Sequence, residues 1–173
     1  SVSARFGDRP GDTRAVAGAK MVGGSVTVTL ANALLKPVRL EDIEVDGELW
    51  SATHALTADA IRAFSAQWDP MPGHLSEDLE TLTASGTHLL AIKNRLLHDF
   101  PMAQTVIASF GFDEVRFREP GRPGDVLRLR LRWLEKRASA SKPGFGIARQ
   151  QCELVRADGA VLLALFDTIL ISC

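Results

Sequence analysis

The chain has 173 residues, 46% of them hydrophobic, which is ample apolar surface for a buried core. Twenty basic residues against 21 acidic ones leave a net charge of -1, and so even a balance argues against nucleic-acid and anionic-membrane partners. The two cysteines, Cys152 and Cys173, have neither metal-ligand spacing nor the makings of a disulfide framework, so the expectation is a cytoplasmic protein with a small-molecule partner and no metal.

Residues 1–37 read as a leader, mobile or non-native: up to about Gly24, Gly, Arg, Asp and Ala dominate it and few large apolar residues are there to offset the entropy of ordering. Within it, residues 25–30 alternate like a short strand. Residues 38–173 read as a single domain. Its first element is a strand over 49–56, after which Thr57 caps a helix running through residue 66 with Ile61 and Phe64 among its apolar positions. A proline-rich loop follows, then a short helical turn over 75–82. Residues 85–100 form a long, mostly buried helix carrying Leu89, Leu90, Ile92, Leu96 and Leu97.

After Pro101 the pattern changes to strands, over 106–117, 126–136, 145–156 and 160–171. In the second of these, Leu127, Leu129, Leu131 and Trp133 alternate with Arg128, Arg130 and Arg132, as in a sheet with one buried and one wet face. The last is the longest apolar stretch; it is too short to span a bilayer, carries Asp167, and reads as a buried strand. Turns at Pro120-Gly121-Arg122-Pro123-Gly124-Asp125, Lys142-Pro143-Gly144 and Asp158-Gly159 separate these strands. Short turns between long strands mean antiparallel pairing, and the fold class is α+β, a sheet curled around one long central helix.

The loop Trp68-Asp69-Pro70-Met71-Pro72-Gly73-His74 is the candidate site. Two prolines stiffen it, so Asp69 and His74 can be held toward one spot as a water-activating pair. Gly86, at the start of the long helix, offers a backbone N–H where the helix dipole is positive and no side chain obstructs a substrate; Ser85 caps the helix beside it. His54, His88 and His98 have no ligand-like grouping and read as structural or surface residues. The arginine row reads as a solvated sheet face, and residues 136–142 as a polar loop.

Phe64-Ser65-Ala66-Gln67-Trp68-Asp69-Pro70-Met71-Pro72-Gly73-His74, followed by Ala84-Ser85-Gly86, Phe117-Arg118-Glu119-Pro120 and Arg122-Pro123-Gly124-Asp125, resembles the MaoC-like dehydratases, the (R)-specific enoyl-CoA hydratase group of hot-dog folds. The resemblance covers roughly residues 39–171. It implies that Asp69 and His74 activate a water that adds across the double bond of an acyl-CoA thioester, with Gly86 as donor to the thioester oxygen, Ser85 and Met71 at the substrate, and no cofactor. It further implies a homodimer, which would also protect the exposed sheet edge. Two features depart from the family: Met71 stands where Asn is common, and the segment between His74 and Gly86 is several residues short, which implies a trimmed lid. Both favour an alternative, a catalytically silent acyl-binding or assembly subunit. A second alternative, a hot-dog thioesterase, commonly needs a carboxylate on the central helix, and residues 85–98 contain no Asp or Glu.

Overall fold

The computed structural model describes residues 28–29, 37–102 and 105–173. The expected leader lies outside the described residues except for 28–29 and 37. Of the strand expected over 25–30, Val28–Thr29 is described; it forms β1 and pairs parallel with β2 (Glu48–Trp50). The other elements are β3 (His54–Ala55), α1 (Ala58–Trp68), a 3₁₀ turn (Pro72–His74), α2 (Gly86–Leu97), β4 (Val106–Phe117), β5 (Val126–Ala138), β6 (Phe145–Arg156) and β7 (Val161–Ser172). Among the described residues the strands form one seven-stranded sheet in the order β1-β2-β5-β6-β7-β4, with β3 paired to β5. Apart from β1 with β2, all these pairings are antiparallel.

The sheet closes on α2. Leu89, Ile92 and Leu96 of α2 are buried against Leu127, Leu129, Leu131 and Trp133 of β5, Ala148, Cys152 and Leu154 of β6, and Leu163, Leu165, Ile169 and Ile171 of β7. Each such leucine contributes about 2 kcal/mol by leaving water. The Cys152 thiol lies in this core, and burial pushes its pKa up to about 12, so it is an inert packing group.

Two expectations need correction. The strand expected over 49–56 is broken into β2 and β3, because the Ser51 hydroxyl oxygen accepts a hydrogen bond from the backbone N–H of Leu129 at 2.8 Å and so takes the place of a ladder carbonyl. The helical turn expected over 75–82 instead falls earlier, at Pro72–His74, where Pro72 sits in the position that needs no N–H. Residues 75–82 form a loop whose side chains bond their own backbone: Asp78 Oδ1 accepts from Glu80 N–H, and Ser76 Oγ accepts from Asp78 N–H. The long helix also stops sooner than residue 100, at Leu97, three residues ahead of the turn into Pro101.

The arginine row is only partly solvated. Arg128 and Arg130 lie over the Trp50 ring at 5.1 and 5.5 Å, and Arg130 pairs with Glu153. β4 lies at the end of the sheet, hydrogen-bonded to β7 alone among the described strands, with three register shifts along their pairing.

Candidate active site

α1 delivers the loop. Thr57 Oγ1 accepts from Ala60 N–H at its start, and the Asp69 N–H donates to the Ser65 carbonyl at its end, so the helix stops with the Asp69 carboxylate leaving its last turn. Three further backbone bonds wind the loop tightly: Met71 N–H to the Asp69 carbonyl, His74 N–H to the Met71 carbonyl, and Leu75 N–H to the Pro72 carbonyl. His74 is thereby turned back on Asp69, with Nε2 3.9 Å from Oδ2. Both side chains are mostly buried, 19% and 28% exposed.

The other ring nitrogen of His74 fixes its role. Nδ1 lies 2.7 Å from the Thr83 carbonyl oxygen, an acceptor only, so a neutral His74 carries its proton on Nδ1. Nε2 is then a bare acceptor, facing a second acceptor, the Asp69 carboxylate. A water about 2.8 Å from both atoms would subtend an angle of roughly 90° and could donate one hydrogen to each. The segment that carries Thr83 is short but well tied: Thr83 N–H donates to the Gly73 carbonyl, and Arg62 binds the carbonyls of Ser76 and Glu77.

Asp69 opens on a cavity of about 470 Å³ whose lining includes Ala84, Gly86, Thr87, Leu89 and Phe117 through Pro120. His74 stands beside Asp69, outside that lining. Gly86 and Thr87, the first two residues of α2, are in this lining. Ser85 is fully buried, and its hydroxyl oxygen accepts from His88 N–H at 3.1 Å and lies 2.8 Å from Thr87 Oγ1. The N–H groups of Gly86 and Thr87 have no intrahelical acceptor and carry the positive end of the helix dipole. Gly86 is held close: a Cβ there would lie 2.7 to 2.9 Å from the Phe117 ring. Gly121, whose carbonyl accepts from Ala84 N–H, fixes the approach to α2, since a Cβ on it would press on Leu56 and Leu89 at 3.0 Å.

Asp69 and Gly86 therefore line one cavity, with His74 beside Asp69 and outside the lining, and Ser85 buried behind the helix start rather than in the lining. Met71 projects into solvent, 59% exposed, and is not part of the lining. His88 is buried, its ring stacked on Phe64 at 4.4 Å; burial, with the nearby His54, lowers its pKa. It locks α1 to the first turn of α2, a structural histidine as expected. Thr87 and the Nδ1 lock from Thr83 were not anticipated from the sequence, which has no marker for either. No group of His, Cys, Asp and Glu suited to a metal occurs among the described residues. Nor does any helix among them have the length and apolarity to cross a membrane.

Comparison with solved structures places this fold among named relatives. A MaoC-like dehydratase from Rhodospirillum rubrum is 33% identical, with a TM-score of 0.71 over 78% of this chain and 97% of that one. The R-hydratase PhaJ1 from Pseudomonas aeruginosa is 20% identical, with a TM-score of 0.63 over 79% and 86% of the two chains. A Mycobacterium tuberculosis protein with a double hotdog fold is 16% identical at a TM-score of 0.66; this chain covers 44% of its length. No protein-family model and no curated protein matches the chain.

Proposed function

The chain belongs to the MaoC-like dehydratase family and has its α+β hot-dog fold, and from that premise we propose that it adds water reversibly across the double bond of a 2-enoyl-CoA thioester. The observation that carries this reading is the pair of acceptors, Asp69 Oδ2 and His74 Nε2, 3.9 Å apart, with Asp69 lining the same cavity as Gly86 at the start of α2. A water donating to both is oriented with its lone pairs outward, toward the β-carbon of a bound enoyl group. As it attacks, one of the two bases takes its proton, and the protonated dyad returns a proton to the α-carbon. Charge that develops on the thioester oxygen meets the Gly86 N–H at the positive helix end. Arg118, exposed at the cavity rim, offers a cation to the CoA phosphates.

The protein is further proposed to be a cytoplasmic homodimer. β4 leaves one edge without a strand partner among the described residues, and Ile107, Phe110 and Phe112 on it are exposed. Pairing with a second copy covers that edge. Light scattering at micromolar concentration should report a dimer; a monomer would contradict the pairing.

The activity test is incubation with crotonyl-CoA. The expected result is formation of 3-hydroxybutyryl-CoA with no release of free thiol. Thiol release without hydration would make the protein a thioesterase instead, and absence of both would return the silent-subunit alternative.

A further inference from the structure

Within β4, only Val106 and Val115 are even partly buried; the other residues of the strand are exposed. Its register against β7 sorts them by face. Phe112 stands opposite Asp167 and Phe117 opposite Leu163, both on the face toward α2. There Phe112 lies 4.3 Å from the ammonium of Lys93, which is ion-paired with buried Asp167 at 3.1 Å, and Phe117 covers Gly86. Asp113 and Arg116 stand opposite Phe166 and Ala164, on the outer face. Strict alternation would place Phe112 and Phe117, five positions apart, on opposite faces. A bulge between Asp113 and Arg116 returns them to one, with Glu114 in the left-handed backbone at φ 51°.

The bulge makes this strand complementary to itself. When two copies of β4 pair antiparallel about a two-fold axis between Glu114 and Val115, each Asp113 meets the partner's Arg116 on the outer face. Each Phe112 meets the partner's Phe117 on the inner face. Opposite charges and aromatic pairs directly across two strands both favour pairing. Other registers lose this match. A slip of one residue sets Glu114 against the partner's Glu114, and a slip of two sets Asp113 against the partner's Glu114, like charges in both cases. A slip of one residue the other way sets Asp113 against the partner's Phe117, residues of opposite faces.

Resting on the homodimer and hydratase readings above, we propose that two copies pair β4 to β4 in this register and that the partner's Phe112 completes the wall of the catalytic cavity. Phe117 lines that cavity and is 52% exposed. Side chains directly opposite across two strands lie about 5 Å apart, so the partner's Phe112 lies beside Phe117 along the sheet, not above it. It carries the apolar wall past the edge of a single chain. One chain alone holds the acid–base pair but an unfinished cavity.

Charge exchange tests the register. Asp113→Arg sets two arginines opposite each other on both sides of the two-fold axis, and Arg116→Asp sets two acids there. Each should raise the dissociation constant of the dimer about tenfold, read by sedimentation on dilution. Both positions are exposed, and the double variant Asp113→Arg/Arg116→Asp, with opposite charges restored, should return to within about threefold of wild type. A dimer indifferent to the single exchanges, or a double variant no tighter than either single, overturns the register and leaves the homodimer reading standing; a monomeric wild type overturns both. Mixing tests the cavity wall. Phe112→Ala should raise KM for crotonyl-CoA about tenfold with kcat little changed. An excess of Asp69→Asn, whose own site is disabled, places each Phe112→Ala chain beside an intact Phe112 and should restore the wild-type KM. An unchanged KM in Phe112→Ala, or one that mixing does not restore, overturns the contribution across the interface. If the wild type does not hydrate crotonyl-CoA while the charge exchange behaves as expected, the hydratase reading and the cavity-wall role fail together and the register stands.

Discussion

Replacement of Gly86 by valine separates the proposed oxyanion donor from the fold. The backbone at Gly86 does not occupy the left-handed region, so the substitution carries no φ penalty. Its cost is steric: the new Cβ falls 2.7 to 2.9 Å from the Phe117 ring, which must move. Phe117 is 52% exposed and has room to swing outward, so the loss of stability belongs at the low end of the 1–3 kcal/mol typical of overpacking, about 1 kcal/mol, or roughly 3 °C in Tm. The effect on catalysis should be larger. Valine and the displaced ring crowd the amide, and loss of one such donor costs about 3 kcal/mol of transition-state stabilisation, roughly 150-fold in kcat. The assay is crotonyl-CoA hydration beside thermal denaturation, with Ala91→Val as the control for a β-branched residue at an exposed site on the same helix. Full activity in a folded Gly86→Val protein, or an equal loss in Ala91→Val, would refute the reasoning.

Lys93→Met should cost about 3–5 kcal/mol in denaturant unfolding, because it strands the Asp167 carboxylate, and adding Asp167→Leu should recover most of that loss; a single variant within about 1 kcal/mol of wild type would contradict a tightly coupled pair. His88 has a folded pKa below its unfolded value of about 6.5. As pH falls through that value the unfolded chain takes up a proton that the folded chain resists, so stability should drop between about pH 7 and pH 5. His88→Phe, which keeps the stack on Phe64, should remove that part of the decline, and parallel Tm curves for the two proteins over this range would contradict it.

The long strands and the buried helix were legible in the sequence because period-2 and helical patterns ran uninterrupted between strong turn signals. β5, with its alternating leucines and arginines, and the Ser85 cap are examples. The break between β2 and β3 was not legible, since it depends on which backbone group the Ser51 hydroxyl meets, and that partner, Leu129, is 78 residues away. The pairing of Asp69 with His74 could be expected from two prolines in one short loop. The tautomer of His74 could not, because it is decided by the Thr83 carbonyl on another segment. Asp167 stood out as a charge within an apolar run, but nothing local joined it to Lys93, 74 positions away.

Asp69→Asn tests the central claim most directly. The substituted amide would keep the shape of the loop and a carbonyl oxygen, but lose the charge and basicity of a carboxylate beside His74 Nε2. General acid–base groups contribute about 10²–10⁴ in rate, so crotonyl-CoA hydration by Asp69→Asn should fall by at least about a hundredfold, with an unchanged circular dichroism spectrum and melting curve. Turnover within a few-fold of wild type would contradict the account.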